Sequence, residues 1–84
     1  MTLEEAVALT KTFTVKPSNP ELLKLYALYK QATEGDNNTE RPGGFDFVAA
    51  AKYNAWDSEK GKTKESATEE YIALVQELST KYIS

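Results

Sequence analysis

Between Gly35 and Phe45 the chain loses all periodicity, and no other stretch constrains the fold as strongly. Its glycines, asparagines, acids and proline are the residues of a true loop. At about a dozen residues it is long for a connection in a small domain, and ordered loops of that length are usually functional or cross the fold. Fully extended, it reaches about 40 Å. The helix before it, about sixteen residues, is only about 24 Å long. The loop can therefore run back along a whole helix, and the helices on either side of it can lie parallel. A short connection would force them antiparallel. Length permits the parallel arrangement without demanding it.

The rest of the chain reads as four helices. Thr2 with Glu5 has capping-box spacing, and Leu3, Ala6, Val7, Thr10 and Phe13 recur at three and four, which predicts a first helix over 3–13. Val15-Lys16-Pro17 breaks it, because the residue before proline avoids the helical region. Ser18 with Glu21, and Asn19 followed by Pro20, start a second helix that runs to Glu34 and stops at Gly35. Its Leu22, Leu23, Leu25, Tyr26, Leu28 and Tyr29 cover more than one narrow stripe, so this helix must face two partners, either two helices or a helix and a ligand. Asp46 caps a third helix over 47–59. Its alanines either let a neighbour approach closely or leave a groove. Thr63 caps a fourth helix, whose Ala67, Tyr71, Leu74, Val75, Leu78 and Tyr82 hold a 3.6 period to the C-terminus. No strand pattern, repeat or second domain is legible, so the expectation is one all-α domain over residues 1–84.

Composition narrows the function. The chain has neither cysteine nor histidine. That removes thiolate metal sites, a cysteine nucleophile and the commonest general base and metal ligand. Asp36, Glu40 and Asp46 fit no calcium loop, so no metal is expected. A net charge of −3 disfavours nucleic acid, which wants a strongly basic face. The acidic N-terminus lacks a signal-peptide pattern, and no apolar run is long enough to span a bilayer, so a cytoplasmic protein is expected. The sequon Asn37-Asn38-Thr39 then carries no weight.

Tyr26, Tyr29 and Lys30 stand at i, i+3 and i+4 and share one helical face. Two phenols beside an ammonium suit an anionic group attached to a flat ring. The same lysine also suits the helix C-terminal dipole as a plain solvated charge. Lys52 among alanines reads equally as an exposed lysine. Tyr71 reads as core or rim, Trp56, Leu22 and Leu23 as core, and Lys11 and Lys16 as surface charge. Asp36, Asn38 and Arg41 read as the residues that stiffen the loop.

The run Tyr26-x-x-Tyr29-Lys30-Gln31-Ala32-Thr33-x-Gly35-Asp36-x-Asn38-x-x-Arg41-Pro42-Gly43, followed in register by Asp46-(x)5-Lys52-x-x-Ala55-Trp56, resembles the acyl-CoA-binding protein family. The resemblance spans nearly the whole chain. It implies a four-helix bundle, up-down-down-up, with an overhand loop between the second and third helices. It implies that Tyr26, Tyr29 and Lys30 serve the ribose 3′-phosphate and adenine of the ligand, with Lys52 meeting Lys30 across the groove between helices two and three. It places Tyr71 against the nucleotide, Lys11 near the adenine end, and Leu22 and Leu23 along the acyl channel. The ligand class it implies is long-chain acyl-CoA, such as palmitoyl-CoA, bound without catalysis or cofactor by a monomer that buffers and carries it. Transient contact with membranes or acyl-CoA-using enzymes is compatible with that role. The alternatives are a helical protein–protein interaction module using the two-sided second helix, and a weak carboxylate thioesterase. Tyr53, Val48 and Gly44 depart from the family pattern where tryptophan, lysine and a large apolar residue are usual, and they bear on the shape of the acyl channel.

Overall fold

In the computed structural model, which describes residues 1–82, four helices follow in order: α1 (Leu3–Thr10), α2 (Asn19–Glu34), α3 (Phe47–Asp57) and α4 (Lys64–Tyr82). No strand occurs among the described residues. The expected continuation of the last helix to the C-terminus lies, for residues 83 and 84, outside them.

The starts are those the caps predict. Thr2 and Ser18 each form a reciprocal capping box, with Glu5 and Glu21. Asp46 accepts from the Ala49 N–H at 2.9 Å, and Thr63 from the Ser66 N–H at 3.0 Å. Two ends come earlier than periodicity suggests. The first helix stops at Thr10 rather than residue 13, because the Thr12 and Phe13 amides fall back on the carbonyls three residues earlier. The Thr10 and Thr12 hydroxyls, donating to the Val7 and Leu9 carbonyls, complete that tightened turn. Phe13 still reaches the core, but from the turn. The third helix stops at Asp57 rather than residue 59, through the same shift to three-residue bonds at Glu59 and Lys60.

The closely packed helix pairs are α2 with α4, α2 with α3, and α1 with α4. Side-chain pairings give their directions. The Tyr82 hydroxyl donates to Glu21 while Gln31 donates to the Lys62 carbonyl, so α2 and α4 run antiparallel. Leu22 and Leu23 share a groove with Phe47, Val48 and Ala51, while Lys30 lies over Trp56, so α2 and α3 run parallel. Thr14, just past α1, donates both its N–H and its hydroxyl to the Tyr82 carbonyl, so α1 runs with α4. The bundle is up-down-down-up, and the loop after Gly35 makes the parallel return. The core is Ala6, Leu25, Leu28, Tyr71, Val75 and Leu78, from α1, α2 and α4.

The loop is anchored at its root. Gly35 caps α2 at φ +81°, a conformation that an L side chain rarely adopts. Its N–H donates to the Gln31 carbonyl, and its own carbonyl accepts from the Trp56 indole at 2.8 Å. Trp56 is buried, as expected. Asp36 accepts from the Gly61 amide at 2.9 Å and from Gln31 Nε2 at 2.8 Å, joining α2, the loop and the α3–α4 turn. These bonds, the Gly61 amide foremost, hold the Asp36 carboxyl below its ordinary pKa. Arg41 reaches Asn54 at 3.1 Å and covers the Tyr53 ring. The asparagine that stiffens the loop is Asn37, not Asn38. It is buried, donates to the Tyr53 carbonyl and accepts from the Thr39 N–H and hydroxyl. The side chain needed more than a local turn: it had to reach α3, and of the two asparagines it is Asn37 that bonds there. A buried, fully engaged Asn37 also gives the sequon no accessible acceptor.

Candidate functional site

Because α1 leans on α4, and α3 leans on α2, two apolar clefts open on either side of α2. One lies among α1, α2 and α4 and measures about 340 Å³, lined by Val7, Thr10, Phe13, Pro17, Leu22, Leu25, Tyr26, Tyr29 and Tyr71. The other lies between α2 and α3 and measures about 540 Å³, lined by Lys16, Asn19, Leu22, Leu23, Tyr26, Phe47, Val48, Ala51 and Lys52. Both volumes fall in the usual range for ligand sites. Leu22 and Tyr26 line both clefts and form the ridge between them. This answers the two-sided apolar pattern of α2: one side packs, and the other borders open grooves.

The phenols sort onto the two clefts. Tyr29, about two-fifths exposed, tilts against Tyr71 with ring centroids 6.1 Å apart. Tyr71 is buried, and burial, then Tyr29, pushes its phenol above the usual value, so it keeps its proton as a donor. Tyr26 turns its ring toward α3, where the Lys52 ammonium stands 5.5 Å from the ring centroid. The family resemblance implies that Lys30 and Lys52 meet across the groove between α2 and α3. In the structure each has a partner on that seam. The Lys30 ammonium pairs with Glu34 one turn on and lies 4.8 Å from the centroid of the Trp56 ring. Its pKa is raised, first by the hydrogen bond to Glu34. An i,i+4 carboxylate and a buried indole both lie within reach of Lys30, so its charge has a local partner. Lys52 remains exposed, with no carboxylate bonded to it among the described residues.

Lys11 is the C-cap of α1 and lines neither cleft. Lys16 lines the α2–α3 groove instead. The signal for it was Pro17, which is buried and bends the chain from α1 onto the start of α2, carrying its neighbour with it. Phe47 and Ala51 also line the groove without having been singled out from the sequence, and so does Val48, which was singled out only as a departure from the family pattern. Phe47 and Val48 are large apolar residues at the start of α3 that stay on the surface, 77% and 67% exposed. Val48 makes this wall of the groove hydrocarbon. The sequence alone could not separate such positions from core.

The electrostatics of the groove differ from those of the whole chain. In a protein of net charge −3, its lining includes two lysines and no carboxylate. Long apolar walls with ammonium groups at the rim suit a ligand with a hydrocarbon part and an anionic part. The opposite flank of α2 carries a closed ion-pair network. There the buried Glu59 accepts from Lys24 at 2.8 Å and Lys62 at 2.6 Å, and Lys62 also reaches Glu70. No group of ligands able to hold a metal ion occurs among the described residues.

Comparison with known proteins gives the same picture. The sequence model of the family described as "Acyl CoA binding protein" matches residues 2–75. The chain is 52% identical over 82 residues to Acyl-CoA-binding protein homolog 1 of Caenorhabditis elegans, covering 98% of this chain and 95% of that protein. It is 54% identical over 81 residues to the Acyl-CoA-binding protein of Dictyostelium discoideum, covering 96% of each. Among solved structures, the crystal structure of Oryza sativa Acyl-CoA-Binding Protein 2 superposes with a TM-score of 0.89 at 42% identity, over 94% of this chain and 88% of that one. The solution structure of the yeast Acyl Coenzyme A Binding Protein gives 0.76 at 52% identity, over 96% and 94%. With the family's sequence model matched over residues 2–75 and solved members superposing on the chain at TM-scores of 0.89 and 0.76, the chain belongs to the acyl-CoA-binding protein family.

Proposed function

We propose that this chain binds long-chain acyl-CoA esters, palmitoyl-CoA among them, reversibly and without catalysis, and that residues 1–84 act as one cytoplasmic, monomeric domain that buffers and carries them. One observation carries the reading: the α2–α3 groove has apolar walls, two lysines and no carboxylate in an otherwise acidic protein. Family membership supports it. Lys52, Lys30 and the Tyr26 hydroxyl hold the 3′-phosphate, with Lys30 released from Glu34 to do so. Tyr29 and Tyr71 flank the adenine, with Lys11 at that end of the site. Leu22 and Leu23, with Phe47, Val48 and Ala51, line the acyl chain.

The two ends of such a ligand do different work. Burying the tail contributes up to about 0.8 kcal/mol per methylene, so a long chain outweighs any single phosphate contact. A charged hydrogen bond contributes roughly 1.5–3 kcal/mol. The tail therefore supplies most of the affinity, and the nucleotide supplies the specificity, because a free fatty acid offers nothing to Lys30, Lys52 or Tyr26. The test is calorimetric titration with palmitoyl-CoA, free CoA and palmitate. Tight binding of the first and much weaker binding of the other two is expected. Equal affinity for palmitate and palmitoyl-CoA sinks the reading, and thioester turnover by the purified protein refutes its non-catalytic part.

A further inference from the structure

We propose that Phe45, Phe47 and Val48 form a docking surface for anionic lipid bilayers, placed so that a tail can pass between the bilayer and the α2–α3 groove without crossing water. The proposal rests on the acyl-CoA reading and names where that site meets its source. The three side chains lie within four positions and are 90%, 77% and 67% exposed. Other large exposed apolar residues, Met1, Val15 and Tyr29, are less exposed and dispersed along the sequence. Nothing in the packing accounts for the cluster. α3 is held to the rest of the molecule by Trp56 through Gly35 and by Asn54 and the Tyr53 carbonyl through the loop, all further along the helix.

Three observations favour a lipid surface as the occupant. The cluster projects from a helix start and a loop end, and projecting rings can enter a fluid hydrocarbon layer that deforms around them. A folded protein would need a matching cavity for each. Phe47 and Val48 also line the α2–α3 groove, so the patch is continuous with it. Lys16 and Lys52 line the same groove and are exposed, which places cations beside the rings, where acidic headgroups would lie. Asp46, between the two phenylalanines, is the opposing charge, and its carboxylate is tied to the Ala49 amide. The chain as a whole, at −3, is repelled by an acidic membrane. Attachment is therefore local, salt-sensitive and reversible. That suits a carrier that must leave again. A tail moving along Phe47 and Val48 stays in contact with hydrocarbon throughout.

The test is flotation of the ligand-free full chain with phosphatidylcholine vesicles made with and without phosphatidylserine. The wild type should float with the acidic vesicles and be released by salt. Phe45 lines neither cleft, so Phe45→Ser should reduce the partition about tenfold and slow pickup of palmitoyl-CoA from vesicles. Its affinity for palmitoyl-CoA in solution should not change, and Phe45→Trp should restore vesicle binding. Failure of the wild type to float, or flotation of Phe45→Ser equal to wild type, overturns the proposal. So does a preference for vesicles lacking phosphatidylserine. Loss of palmitoyl-CoA binding in solution by Phe45→Ser also overturns it, whereas failure of the wild type to bind palmitoyl-CoA in solution refutes the functional reading instead, and the ligand-free flotation is read independently of that.

Discussion

Replacing Lys52 with methionine separates the charge of the α2–α3 groove from its hydrocarbon. In the ligand-free protein the Lys52 ammonium is exposed and its partner is the Tyr26 ring, 5.5 Å away. A cation–π contact at an exposed site is worth about 0.5–1 kcal/mol. The variant should therefore fold normally and melt about 2–8 °C lower, given about 4–8 °C per kcal/mol for a domain of this size. In the complex the ammonium would bond a phosphate, worth roughly 1.5–3 kcal/mol. The lower end applies, because Lys52 is solvated and must leave Tyr26 to make the bond. Palmitoyl-CoA should consequently bind Lys52→Met about tenfold more weakly, the equivalent of 1.4 kcal/mol. The assay is titration calorimetry with palmitoyl-CoA and with its 3′-dephospho analogue, on both proteins. The analogue should bind wild type and variant nearly equally, since it lacks the group that Lys52 serves. Equal losses with both ligands would mean that Lys52 acts on the fold or the tail and not on the phosphate. No loss with either would refute the phosphate role and favour α2 as a protein-binding face.

Three further outcomes follow from the packing. Gln31 is fully buried and gives both its donors to Asp36 and the Lys62 carbonyl; Gln31→Leu removes both bonds while the exposed Asp36 keeps the Gly61 amide, a loss of about 1–3 kcal/mol for the two bonds together, and thermal unfolding should show a drop of several degrees. Trp56→Phe removes the indole donor from the Gly35 carbonyl and should cost about the same, with faster amide exchange at the loop root as its specific sign. Acid should destabilise the protein through two carboxylates whose folded pKa values lie below the ordinary 4.5. Glu21 is held at about 2, first by the Tyr82 hydroxyl, and Glu59 is lowered because the bonds from Lys24 and Lys62 outweigh its burial. The unfolded chain takes up these protons more readily. The stability they confer is present above about 4.5 and is lost as pH falls, toward about 2 for Glu21. Melting temperature against pH should thus fall less steeply in Glu21→Gln than in wild type.

The sequence by itself determined the elements, and local chemistry explains why. Capping boxes at Thr2 and Ser18, Pro20 at the start of α2 and Gly35 at its end act within one turn, so their signals are complete in the chain. The 3.6 period of α4 and the two-sided pattern of α2 likewise required no partner to be read. The loop's length bounded the topology, and the run from Tyr26 to Trp56 carried the family. Tertiary structure decided what depends on distance between separate elements. It chose Asn37 over Asn38, since it is Asn37 that bonds the Tyr53 carbonyl. It put Lys16 rather than Lys11 on the groove because of where the turn at Pro17 carries the chain. It paired Lys30 with Glu34 and laid its ammonium over the Trp56 ring. It left the apolar Phe47 and Val48 on the surface. Helix formation is governed by neighbours in sequence, whereas side-chain partnership is governed by which groups the packed helices bring within a few ångströms.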